Sequence, residues 1–258
     1  MDEIRKINMD DLKEIIAKKG FTLPLLIKDY YLSLILYLIK DLEGIYFKGG
    51  TALNKIFLKH SRLSEDIDFS VTRDVKKLKL EISKILIDSR FFEKITYDKS
   101  VEGFLRIVVH YNLEGQKGNI FIDLNERAKL SLKPEKHKLN HFYSSFIPEF
   151  YVNTVAEEEL IAEKIAACIG RNKPRDHFDV YKLIKAGIPI NFKLVKKKCH
   201  DSGTEFSIIK MFNNANKLKN RWDKDMISLL AEPISFKEVI QFLSKHFKLK
   251  EEKKKLKK

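Results

Sequence analysis

The segments Gly44-Ile-Tyr-Phe-Lys-Gly-Gly-Thr-Ala-Leu53 and Asp66-Ile-Asp-Phe-Ser-Val71 decide the fold. In the first, a short β-prone run ends on Lys48, Gly49 and Gly50, after which Leu53, Ile56 and Phe57 return at helical spacing. The reading is strand, glycine turn, helix over about Gly44 to Leu58. In the second, period-two alternation sets Ile67, Phe69 and Val71 on one face and Asp66, Asp68 and Ser70 on the other. Two carboxylates thus share one strand face, downstream of a turn whose glycines let backbone approach a ligand closely. Hard divalent cations take oxygen ligands, so this pair suits one or two Mg²⁺ ions. A helix N-terminus behind a glycine turn offers N–H groups to polyphosphate oxygens, and Thr51 adds its hydroxyl to that grip.

Outward from this centre, Asp10 and Asp11 precede an amphipathic helix to Lys18, and a strongly apolar helix runs from Leu25 to about Leu42 after Pro24. Val75 to Ser89 reads as a helix. Ile95–Tyr97, Phe104–Tyr111 and Asn119–Asn125 read as strands, the last two joined by Glu114-Gly-Gln-Lys-Gly118. The sum is an α/β (α+β) domain with a mixed sheet of four to five strands. Within Ile120-Phe-Ile-Asp-Leu124 the apolar residues face one side and Asp123 the other, which makes Asp123 the candidate third carboxylate of a metal site. Beyond Pro148, helices are predicted over Val155–Ile169, Asp176–Lys185, Phe192–Lys198, Phe206–Lys219, Asp225–Leu230 and Phe236–Phe247. The expected organisation is a domain over 1–148, a helical domain over 149–248 and a basic solvated tail over 249–258.

The chain has 258 residues, 44% of them hydrophobic, with only 10 glycines and 6 prolines, which excludes a disordered or fibrous class. The net charge is +14. The stretch from Lys248 to Lys258 carries +5 of it, so +9 remains on the body, which suits an anionic partner. Cys168 and Cys199 form no CxxC pair, excluding a thiolate zinc site, and no HExxH occurs. The most apolar run, Tyr30–Ile39, is too short to span a bilayer and the N-terminus lacks a signal-peptide layout, so a soluble, cytoplasmic protein is expected. Trp222 and the phenylalanines read as core.

Lys48-Gly-Gly-Thr-Ala-Leu53 followed by Arg62-Leu-Ser-Glu-Asp-Ile-Asp-Phe69 resembles the AbiEii/AbiGii toxin family of nucleotidyltransferases. The resemblance continues through Glu163-Lys164, Arg171 and Arg175-Asp-His-Phe-Asp179, spanning about Gly44 to Leu183. It implies a nucleotidyltransferase-like mixed sheet followed by a helical C-terminal domain. The implied activity is Mg²⁺-dependent transfer of a nucleoside monophosphate from an NTP to an acceptor. Relatives act as toxins in toxin–antitoxin or phage-abortive systems, and some modify tRNA 3′ ends.

Carried onto this chain, the resemblance places Asp66 and Asp68 on the metals, Gly49, Gly50 and Thr51 on the triphosphate, Lys164 on phosphates, and Asp176 or Asp179 in closing the site. Lys55, Arg171 and Arg175 are further nucleotide-binding candidates, and Arg62 and Ser64 order the loop before the carboxylates. Asp123 as third metal ligand rests on its strand face alone. The implied partners are an NTP, an RNA acceptor with tRNA favoured by the basic surface, and a neutralising antitoxin. The rival readings are a catalytically silent module of the same fold that binds nucleotide, RNA or protein, and a nucleotidyltransferase acting on a protein hydroxyl.

Overall fold

Asn8 starts the first helix. Its side chain accepts the Asp10 and Asp11 N–H groups at 2.9 Å each, and the Asp11 carboxylate accepts the Asn8 N–H at 3.0 Å. Helix α1 (Met9–Lys19) then ends on Gly20, whose φ of 76° no other residue adopts as cheaply. Helix α2 (Leu23–Leu38) has Pro24 in its first turn and is buried almost all round, as its unbroken apolar sequence requires. The structure, a computed structural model, describes residues 4–255 and divides the chain into one unit up to Ala156 and another from Glu157.

The first unit continues through β1 (Ile45–Lys48) and α3 (Gly49–Ala52), which runs on as a π turn over Leu53–Phe57. After these come β2 (Asp66–Val71), α4 (Val75–Asp88), β3 (Lys94–Val101), β4 (Phe104–Leu113), β5 (Gln116–Asn125), β6 (Glu135–Lys138) and β7 (Tyr151–Thr154). Among the described residues they form a seven-stranded sheet in the order β3-β4-β5-β2-β1-β7-β6. The β2–β5 and β1–β7 pairs are parallel and the others antiparallel. Ile67, Phe69, Ile120, Ile122 and Leu124 are buried on one face, as the alternation predicts, and α2 packs onto β5.

The sheet exceeds the expected four to five strands. Strand β6 is Glu-Lys-His-Lys at an exposed sheet edge and so lacks apolar alternation, and β7 is four residues long. Because Phe47 is in register with Thr154 and its carbonyl accepts the Val155 N–H at 3.2 Å, the first unit runs past the expected boundary at residue 148. The expected five-residue hairpin loop is a two-residue turn. Glu114 (φ 48°) and Gly115 (φ 90°) carry it, and the ladder extends to Leu113 opposite Gln116.

A buried polar cluster lies inside this unit. The Lys55 ammonium lies 2.8 Å from Asp29 Oδ1 and donates to Ser33 Oγ at 2.9 Å, and the Tyr143 hydroxyl donates to Asp29 Oδ2 at 3.1 Å. Beside them sit His60 and His141. Burial, reinforced by the Lys55 charge, pushes both down to about 4, against a smaller opposing pull from Asp29. His60 Nε2 is buried without a hydrogen-bond partner. A histidine with a depressed folded value binds fewer protons folded than unfolded. Its stabilisation is therefore complete above about 6.5 and is lost as pH falls towards 4. The urea midpoint is expected to drop between pH 7 and pH 5, and His60→Asn, which tolerates the local φ of 57°, should flatten that slope. An unchanged slope refutes the assignment.

The second unit is helical: α5 (Glu157–Gly170), α6 (Pro174–Lys185), α7 (Phe192–Asp201), α8 (Ala215–Met226), α9 (Phe236–His246) and α10 (Leu249–Lys255). The helix expected over 206–219 is instead a 3-10 turn at Ile209–Phe212 followed by α8, which also absorbs the start of the helix expected over 225–230. Lys198 of α7 pairs with Glu159 and Glu163 of α5, which ties those helices together. Trp222 is buried and donates its indole N–H to the Ile234 carbonyl at 2.8 Å. Residues 249–255 of the expected solvated tail form exposed α10, entered through Lys248 at φ 48°, and the rest of that tail lies outside the described residues. No single helix among the described residues is long and apolar enough to cross a membrane.

Candidate active site

The strand register lines up one row of charged residues across the first unit's sheet. Lys48 is opposite Asp68, Asp68 is opposite Asp123, and Asp123 is opposite Arg106. Partners directly across a ladder project to the same face, so β1, β2, β5 and β4 contribute in turn a cation, two anions and a cation. Asp66 stands on the same face two residues before Asp68. Asp68 and Asp123 are like charges side by side, an arrangement that is unfavourable unless cations flank it, as they do here. Arg106 Nε and one terminal nitrogen donate to the two Asp123 oxygens, each at 2.7 Å, and its guanidinium stacks 4.8 Å from the Phe121 ring centre. The hydrogen bond to Asp123 raises the Arg106 value further above its ordinary range, and Asp66 and Asp98 add to the shift.

Glycine at position 49 is dictated by this row. Its φ is 78°, and an added Cβ would collide with Asp68 Oδ2. The turn and the carboxylate are therefore packed as one unit. Gly49→Ala is expected to cost about 1–2 kcal/mol of stability from the left-handed backbone. It should cost a larger factor in activity, about 100-fold, because displacement of a reacting group by about 1 Å has that effect. Transfer rate and urea midpoint measured together check this, and retained activity would refute a functional role for the packing of Gly49 against Asp68.

Thr51, expected to grip the triphosphate, is buried, and its hydroxyl donates to the Asp66 carbonyl at 2.6 Å. Its work is to hold the strand that carries the carboxylates. Asn54 continues the clamp: its Nδ2 donates to the Gly50 carbonyl at 3.0 Å, while its Oδ1 accepts from Ser61 Oγ at 2.8 Å and the Arg62 N–H at 3.2 Å.

Asp66 and Asp68 are half-buried hard oxygen donors on one strand face, a donor set that fits a divalent cation. Asp123 does not fit as expected: both of its oxygens already accept from Arg106, and among the described residues no cluster of three or more His, Cys, Asp or Glu side chains is disposed around a metal position. Mg²⁺ is commonly held by only one or two carboxylates together with substrate phosphates, so a two-aspartate site is sufficient.

Residues 35–242 match the family described as "Nucleotidyl transferase AbiEii toxin, Type IV TA system". The chain belongs to that family. As an AbiEii protein it is a nucleotidyltransferase with an NTP as substrate. Its fold is similar to that of MenT4, a nucleotidyltransferase toxin from Mycobacterium tuberculosis H37Rv, at a TM-score of 0.72 and 20% identity, covering 94% of this chain and 89% of that one. It is also similar to JHP933 from Helicobacter pylori, at a TM-score of 0.57 and 18% identity, covering 92% and 98%. No curated protein matches it in sequence.

Other residues expected at the AbiEii site have different surroundings. Lys55 is 2% exposed and paired with Asp29 in the core. Arg62 is buried and donates to the Leu63 carbonyl at 2.9 Å and to Ser64 Oγ at 3.4 Å, which shapes the loop entering β2. Arg175 is half-buried in the first turn of α6.

In the second unit, the Lys164 ammonium, expected on phosphate, sits 3.1 Å from Asp176 Oδ1 and 3.0 Å from Asp179 Oδ2, and both carboxylates are buried. Arg171 grips Asp176 in bidentate fashion, at 2.7 and 2.8 Å. Burial would raise the Asp176 carboxyl, but Lys164 and Arg171 outweigh it and hold the group below the usual carboxylate range. Lys164, Arg171, Asp176 and Asp179 thus form one charge-balanced network inside the helical unit. Arg106 is the member of the site that sequence reasoning misses. A charge standing between Leu105 and Ile107 on a predicted strand is the available signal.

Proposed function

We propose that this nucleotidyltransferase transfers a nucleoside monophosphate from an NTP to RNA, with tRNA the favoured acceptor, in the cytosol. The observation that carries the reading is the row Lys48, Asp68, Asp123 and Arg106 with Asp66 beside it, against which Gly49 is packed. Asp66 and Asp68 would hold Mg²⁺, which would neutralise charge developing on the phosphate oxygens. The Gly49–Gly50 backbone can approach the triphosphate closely, since neither residue carries a side chain. Arg106 holds Asp123, and through it keeps the carboxylate face ordered.

In the reaction, the acceptor hydroxyl oxygen bonds to the α-phosphorus, the bond from that phosphorus to the oxygen bridging to the β-phosphate breaks, and pyrophosphate leaves. The hydroxyl proton passes to a carboxylate or water. Such an in-line displacement needs positioning and charge stabilisation and no covalent nucleophile. The +14 charge supports a polyanionic acceptor, and the buried thiols of Cys168 and Cys199 suit a reducing compartment. A type IV system supplies an antitoxin as the protein partner.

Incubation with each α-labelled NTP, Mg²⁺ and total cellular RNA tests the reading. Label removed by ribonuclease is the expected result. Label removed by protease moves the acceptor to a protein hydroxyl, and no label with any NTP overturns the proposal.

A further inference from the structure

The helical unit carries a cavity of about 360 Å³ lined by Arg171, Asn172, Asn214, Lys217, Asn220 and Arg221. That volume lies within the roughly 300–1,000 Å³ typical of small-ligand sites. Its lining contains three cations, three amides and no carboxylate or apolar side chain, the opposite of an ordinary apolar pocket. The cavity sits between the α5–α6 turn and the N-terminal half of α8.

Its charge faces outward. Arg171 and Arg221 each have an acidic partner, but the guanidinium side chains are 55% exposed, while Asp176 is 1% and Asp225 16% exposed behind them. Lys217 makes no ion pair among the described residues. Lys217, Asn220 and Arg221 lie on one face of α8, and the buried Leu218, Trp222 and Met226 lie on the other. Asn214 precedes the first turn of α8 without capping it, so first-turn N–H groups add to the positive end.

The lining is held in place. Asn172, in the left-handed region at φ 49°, donates its Nδ2 to the Ile169 and Lys210 carbonyls, each at 3.3 Å, which fixes the turn that presents Arg171. A wall of three cations and three amides with no carboxylate complements the closely spaced phosphates of a nucleic acid, and the amides can meet its sugar and base edges.

We propose that this cavity seats one phosphate-linked nucleotide of an RNA acceptor, a docking point for the RNA built by residues of the helical unit alone. The inference rests on the RNA acceptor of the proposed function, but binding is measured without NTP or metal, so the two can fail separately. Labelled bulk tRNA is titrated with the full chain across a range of salt. Lys217→Glu and the double variant Lys217→Glu/Arg221→Glu are each expected to weaken binding at least about tenfold. The slope of log affinity against log salt should fall by about 0.7 for every phosphate that the variant no longer neutralises. Lys217→Arg should bind as the wild type does, and Trp222 fluorescence reports whether the unit is folded.

Unchanged affinity and slope in folded Lys217→Glu overturn the proposal. So does polyglutamate that displaces labelled tRNA from the wild type as readily as unlabelled tRNA does, because charge alone would then account for the site. Pocket-dependent tRNA binding without nucleotidyl transfer to RNA would sink the proposed function and leave this site standing. Transfer to RNA with variants that bind like the wild type would do the reverse.

Discussion

Asp66→Asn and Asp68→Asn are each expected to lose nucleotidyl transfer while leaving the protein as stable as the wild type, or slightly more so. The two halves of that result have one cause. Asp68 lies directly across the ladder from Asp123, with Asp66 on the same face, so the sheet lines up three carboxylates on one face between Lys48 and Arg106. Replacing one carboxylate by an isosteric amide relieves like-charge repulsion and creates no cavity. The same replacement removes a hard anionic donor from a site that has only two to offer a divalent cation. Losing an outer-shell partner of a metal ligand costs about 10–100-fold, so losing the ligand itself should exceed about 100-fold. Label incorporation from α-labelled NTP, read beside the urea midpoint, checks both halves. Full activity in either variant removes the two-aspartate reading, and a collapsed midpoint would mean that the carboxylates serve the fold.

The contrast between that site and the residues around it marks how far local sequence carries. The alternation over Asp66–Val71, the Gly49–Gly50 turn and the strand face of Asp123 are properties of single segments, and each stands where its segment predicts. The row joining Lys48 to Arg106 is a property of register between strands distant in sequence. The two-residue turn at Glu114–Gly115 fixes that register, and a five-residue reading of the loop hides the Arg106–Asp123 pairing. Burial of lysine is the other property that local sequence hides. Lys55 and Lys164 lie on helical segments of a lysine-rich chain, where an exposed or phosphate-facing role is the natural reading. Both are instead buried against aspartates from other elements, Asp29 and the pair Asp176 and Asp179. A buried cation of that kind is visible only when its distant carboxylate is placed beside it.

Lys164→Met should therefore act on folding before it acts on chemistry. Methionine conserves much of the volume, so the chief change is electrostatic: Asp179, fully buried, loses the ammonium at 3.0 Å, and Asp176 loses it at 3.1 Å while keeping Arg171. Breaking a buried pair by removing one partner costs up to about 3–5 kcal/mol, since the carboxylates left behind lose part of their compensation. Trp222, inside the same helical unit, reports its unfolding by fluorescence. The pH dependence supplies the sharper test. In the wild type, the Asp176 carboxyl is held below its unfolded value, so its contribution is complete above about pH 4 and is lost as pH falls through that range towards the lower folded value. In the variant Asp176 has lost one of the two cations that depress it, so less stability depends on its ionisation and acidification from pH 7 should cost the variant less than the wild type. A midpoint difference between wild type and variant that shrinks with acid confirms a buried, charge-balanced Lys164. A variant equal to the wild type at neutral pH would return that lysine to the surface, where a phosphate could reach it.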